Sequence, residues 1–113
     1  MIKIEIDDRL VAFSCHGGTP IEYRQRFQRD FFEDVAKIWN GMEDLGTLDT
    51  LALYSMVYML AKTADSTIND DMLAWYSTFK VFPILSVIAE LRELFSANLF
   101  MQKKTLPMGT ENP

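Results

Sequence analysis

Thr50 to Ala64 reads TLALYSMVYMLAKTA, and the fold turns on how this stretch is read. From Leu51 to Ala61 it carries no charge, and its apolar residues fall on every side of a 3.6-residue helix instead of along one stripe. A helix that is apolar all round is normally buried among other elements. The stretch is also too short to cross a bilayer, which takes roughly 20 apolar residues. It therefore predicts a central helix, 50–64, around which the remaining segments pack as a mainly α fold with a small β part (α+β).

Working outward toward the N-terminus, Asp49 is a natural cap for this helix, and Gly41 and Gly46 bracket a loop or frayed turn from Met42 to Leu45. Ahead of that, Tyr23, Phe27, Phe31, Val35, Ile38, Trp39 and Met42 recur at spacings of three and four, the stripe of one long amphipathic helix, 20–40. Its start is marked by Thr19 as cap, Pro20 at the first helical position and Glu22 three residues after Thr19. Its outer face offers Arg26 with Asp30, Arg29 with Glu33 and Glu33 with Lys37 as four-apart ion pairs. Cys15-His16-Gly17-Gly18 is a joint. Before it, Ile2, Ile4 and Ile6 alternate with Lys3 and Glu5, Asp7-Asp8 interrupts, and Leu10 to Ser14 is again apolar. This predicts a β-hairpin over 2–14, whose open edge suits strand addition from another copy or a partner.

Toward the C-terminus, Asn69 or Asp70 caps a short helix, 70–79, with Met72, Trp75, Tyr76 and Phe79 on one face. Pro83 ends it, and a fourth helix, 83–98, turns Ile84, Val87, Ile88, Leu91, Leu94 and Phe95 inward. Residues 1–101 are expected to form a single domain and 102–113, polar with Pro107, Gly109 and Pro113, a disordered tail. Leu99, Phe100 and Met101 stand at the brink of that tail as a candidate partner-binding surface, or as residues that close the core over Trp39 or Trp75.

At 113 residues one domain is expected, and a net charge of -5 opposes a phosphate backbone, so nucleic-acid binding is disfavoured. Cys15, the single cysteine, forms no intrachain disulfide, and MIKIEIDDR lacks a continuous apolar signal core; both suit the cytoplasm. Cys15 beside His16 lacks the three or four ligands of a zinc site. Gly17-Gly18-Thr19 lacks the Gly-Lys-Ser/Thr of a phosphate loop, and the acid pairs Asp7-Asp8, Glu43-Asp44 and Asp70-Asp71 read as turn and cap residues. No catalytic, cofactor-binding or metal-binding set is predicted. Met56, Met59 and Met72 are core filler or the lining of an adaptable groove.

Arg9 to Phe13, followed by Thr19-Pro20-Ile21-Glu22-Tyr23-Arg24-Gln25-Arg26-Phe27 and Arg29-Asp30, resembles the strand, Thr-Pro, Tyr-Arg and Phe-x-x-Asp opening of the tail assembly chaperones of long-tailed (siphovirus-type) bacteriophages and prophages. Tyr58 to Asp65, YMLAKTAD, is similar to that family's Ala-Lys-x-Ala-Asp helix end. A Trp-containing helix with Trp75 and Phe79 and a closing apolar helix with a lysine-bearing tail follow, so the resemblance covers about residues 9–104. It departs in having no proline from Ser66 to Asp71 and Phe95-Ser96 in place of Trp-Gly. The resemblance implies a non-catalytic, cofactor-free chaperone that binds the tape-measure protein and other tail proteins, keeps the tape measure soluble in the host cytoplasm during tail assembly, and is absent from the mature virion. It is compatible with a homo-oligomer and implies a longer frameshifted form, with Gln102-Lys103-Lys104 as the natural slip point. The alternative from another class is a small prophage-encoded protein-interaction adaptor or regulator.

Overall fold

A computed structural model of the chain describes residues 1–99. Strands β1 (Ile2–Ile6) and β2 (Arg9–Phe13) form the expected antiparallel hairpin, with Ile2 opposite Phe13 and Ile6 opposite Arg9. Asp7 and Asp8 turn the chain with φ of 53° and 65°. That is the doubly left-handed backbone of a type I′ turn, whose twist matches the flanking strands, and aspartate enters this region more readily than most side chains. Ile4, Ile6 and Phe13 are buried, while Lys3 and Glu5 are exposed. The hairpin is fastened by three hydrogen bonds and one cation–π contact. Arg9 stacks 3.6 Å from the Phe79 ring centre and donates to Thr78 Oγ1 at 2.8 Å. The Asp7 carboxylate accepts the Lys80 N–H at 2.9 Å, and the Ser14 N–H donates to the Leu60 carbonyl at 3.0 Å.

Two helices replace the single one expected over 20–40: α1 (Thr19–Phe27) and α2 (Phe31–Glu43). Gln28 breaks the run at φ 54°. The physical reason is a competing helix start, for Asp30 caps α2 by accepting the Glu33 N–H at 2.8 Å. The stripe survives the break, with Tyr23, Phe31, Val35 and Ile38 buried and Phe27, Trp39 and Met42 packed against them. The four-apart ion pairs do not form; Arg29 and Lys37 turn to Asp34 and Asp49 instead. Nor does Thr19 cap α1. Gly18 holds that position, and the buried Thr19 hydroxyl accepts the His16 N–H at 2.9 Å. Gly41 is no loop residue either, but a buried helical position on which Leu48 presses, with a short 3-10 turn, Leu45–Thr47, after α2.

Helix α3 (Thr50–Ala64) has the expected bounds and burial. Asp49 caps it by accepting the Ala52 N–H at 3.0 Å, and every residue from Ser55 to Ala61 is buried. Around it lie the hairpin, α1, α2 and the C-terminal helices. The helix expected over 70–79 is only α4 (Met72–Tyr76), capped by Asp71 instead of Asn69 or Asp70, because the Asn69 side chain accepts the Asp71 N–H. Tyr76 Oη donates to the Tyr54 carbonyl of α3 at 2.6 Å, Trp75 and Tyr76 meet at a tilt, and both interlock edge to face with Phe82, as Phe79 does with Trp75 and Phe82. The helix expected over 83–98 is likewise two, α5 (Ile84–Glu90) and α6 (Arg92–Leu99). At the joint the Leu91 N–H is shared between the carbonyls of Val87 and Ile88, each at 3.1 Å. The bend buries Val87 and Ile88 and brings Phe95 within 5.6 Å of Trp39 and 6.3 Å of Phe31, ring centre to ring centre. The result is the mainly helical α+β fold; Phe100, Met101 and 102–113 lie outside the described residues.

Candidate functional site

Between α1 and the C-terminal half of α3 runs an open cleft of about 570 Å³. Glu22, Gln25 and Arg26, three and four apart on the outer face of α1, form one wall, and Met59, Lys62 and Thr63 of α3 form the floor and the other, with His16 and Ser66 completing the rim. Lys62 is occupied: its ammonium donates to the carbonyls of Ser66 and Ile68 and pairs with Asp70 at 2.8 Å, a contact that lowers the Asp70 carboxyl below its ordinary range. Arg26 is exposed, makes no ion pair among the described residues and lies 6.0 Å from the Tyr58 ring centre. His16 Nε2 stands 3.7 Å from Glu22 Oε1, and its Nδ1 accepts the Gly18 N–H at 3.0 Å. Cys15 is half-buried, and burial pushes its thiol up, away from the reactive thiolate. Met59 is the one apolar residue in this lining and is almost fully buried, so the cleft is an open, mainly polar trough between two helices.

A second, smaller groove of about 220 Å³ follows the outer side of β2, lined by Leu10, Val11, Ala12, Ile68, Trp75 and Phe79, with Arg9 and Asp65 beside them.

The densest polar constellation lies away from both. Asp34 is 1% exposed, and its carboxylate accepts the Tyr23 hydroxyl at 2.5 Å and a forked pair from Arg29, Nε at 2.7 Å and Nη2 at 3.1 Å. Arg29 Nη2 also reaches Asp49 at 3.0 Å, and Lys37 lies 3.8 Å from the same carboxylate. Tyr23 is raised out of reach of ordinary titration, by burial first and then by Asp34, and Asp49 is lowered by the Ala52 N–H and, further, by Arg29. The set lines neither of these grooves, and every carboxylate in it is paired. It is a clasp that joins α1, the Gln28 break, α2 and the cap of α3. Sequence reasoning missed it, although Phe31, Asp34, Val35 and Ile38 fall on one helical face, and a lone acid in such a stripe signals a buried partner.

Of the predicted contact residues, Leu99 is half-buried against the core, and Phe100 and Met101 lie outside the described residues. Cys15 and His16 are brought to the cleft's margin without further ligands; among the described residues no three His, Cys, Asp or Glu side chains gather, and no helix is long and apolar enough to cross a membrane. Compared with protein-family models, curated proteins and solved structures, the chain has no match.

Proposed function

We propose that this protein is a non-catalytic tail assembly chaperone that holds amphipathic helices of the tape-measure protein in the α1–α3 cleft. It keeps them soluble in the host cytoplasm and is absent from the finished particle. What carries the reading is a coincidence of position. The two stretches most similar to that family, residues 19–27 and 58–65, are far apart in the chain, yet Glu22, Gln25 and Arg26 from the first and Met59, Lys62 and Thr63 from the second line the same cleft. An isolated tape-measure helix exposes an apolar stripe prone to aggregation. Met59 and Thr63 line the base of the cleft, the polar and charged side chains of Glu22, Gln25, Arg26 and Lys62 meet the flanks of such a helix, and a net charge of -5 favours solubility.

The test is co-production with helical fragments of the tape-measure protein. The fragments should be insoluble alone, soluble in the presence of this chain, and recovered with it. Arg26→Glu, a change at an exposed position, should abolish recovery without moving the melting temperature. Fragments that stay insoluble, or that bind the variant as well as the native chain, defeat the reading.

A further inference from the structure

β1 is the outer strand of a two-stranded sheet. Because the Ile6–Arg9 pair closes a two-residue turn, the ladder bonds of the hairpin join Ile2, Ile4 and Ile6 to Phe13, Val11 and Arg9. The N–H and C=O groups of Lys3 and Glu5 therefore point away from β2, and no backbone group among the described residues bonds to them. Both side chains are exposed. The strand has five residues, no proline and no bulge, so its blunting devices are the charges of Lys3 and Glu5.

We propose that β1 pairs antiparallel with β1 of a second copy about a two-fold axis through Ile4, giving a four-stranded sheet in the order β2, β1, β1, β2. The register follows from backbone and charge. Only Lys3 and Glu5 have free edge groups, so they must lie opposite one another or themselves; a register shifted by one residue would set a free edge group against one already committed to β2. An axis at Lys3 places two lysines face to face, and an axis at Glu5 places two glutamates face to face. An axis at Ile4 places Lys3 opposite Glu5 of the second copy, twice. Directly opposed like charges destabilise a strand pair and opposite charges stabilise it, so the charge that guards this edge against other strands selects its own copy. The two Ile4 side chains meet on the core side. A two-stranded sheet is marginal by itself, and doubling it removes the open edge of β1.

The experiment is the solution mass of the full chain, by sedimentation or by light scattering after gel filtration. The native protein should run at twice the 13.0 kDa chain mass. Lys3→Glu and Glu5→Lys should each halve that mass, because each creates two like-charge pairs while leaving the β1–β2 ladder intact. The double exchange, Lys3→Glu with Glu5→Lys, should restore the dimer. Lys3→Pro, which deletes one edge donor without touching a bond to β2, should give the monomer by a route that does not depend on charge. A monomeric native chain overturns the proposal, as does a dimer that survives Lys3→Glu or a double exchange that stays monomeric. None of these readouts depends on binding to a tape-measure helix, so this inference and the proposed function fail separately.

Discussion

A methyl group at position 41 would lie 2.7 Å from Leu48 Cα and 2.5 Å from Leu48 Cδ1. In an exposed helix interior, replacing glycine by alanine gains about 1 kcal/mol. Here the obstacle is backbone, which has little room to yield, so overpacking, about 1–3 kcal/mol, opposes and exceeds that gain. Gly41→Ala is expected to lower the denaturant midpoint; a raised midpoint would mean that Leu48 moves aside. Tyr23 makes a second residue-scale case. Burial and Asp34 raise its folded pKa above the ordinary value of 10.0, and burial raises Tyr76 likewise. Below pH 10 both are neutral in either state and their stabilising effect is complete. Above it the unfolded chain ionises while the folded chain keeps its protons, so each tyrosine removes up to about 1.4 kcal/mol per pH unit. Urea midpoints should fall steeply from pH 10 to 11.5, and Tyr23→Phe should make the fall shallower; a flat profile would contradict both burials.

At the scale of elements, the α1–α2 joint shows what periodicity conveys and what it conceals. Tyr23, Phe27, Phe31 and Val35 keep a spacing of four straight through the break, so a stripe count reads one helix where the chain makes two. The local signal was there: Asp30 with Glu33 three residues on is a start signature as good as Thr19 with Glu22. At Thr19 the rule misled, since its hydroxyl serves His16. The α5–α6 break at Leu91 has no such mark; the residues around it are good helix formers, and the bend arises from where Val87 and Phe95 must pack, a tertiary demand. By contrast α3, uncharged from Leu51 to Ala61 and capped by Asp49, was fully legible because its middle, Ser55 to Ala61, is buried all the way round. The α1–α3 cleft was not, because its walls are ordinary solvated residues that gain meaning only by facing one another. What holds the α1–α2 bend is the clasp. Asp34→Asn should cost about 3 kcal/mol, since Arg29 loses its main partner in a largely buried site. Tyr23→Phe should cost about 1 kcal/mol. The two share Asp34, so the double variant should be less destabilised than the sum; additive losses in chemical denaturation would mean that the clasp does not act as a unit.

For the molecule as a whole, the proposed tape-measure contact has two candidate surfaces, the cleft and the end of α6. The cleft lies beside α1 and α3, whereas Leu99 ends α6, the helix that carries Phe95 to Trp39 and Phe31. Leu99 itself is half-buried against the core, so removing it should cost about 1 kcal/mol of apolar burial. Truncation after Asn98 and Arg26→Glu therefore make a matched pair. With the cleft as the binding surface, the truncated chain should melt a few degrees lower and still recover tape-measure fragments, whereas Arg26→Glu should melt as the native chain does and recover none. If Leu99, Phe100 and Met101 form the contact, recovery inverts: truncation abolishes it, with the same small loss of melting temperature, and Arg26→Glu leaves it intact. Melting curves and fragment recovery, measured on the same two preparations, separate these patterns, because one change touches packing without the cleft and the other touches the cleft without packing.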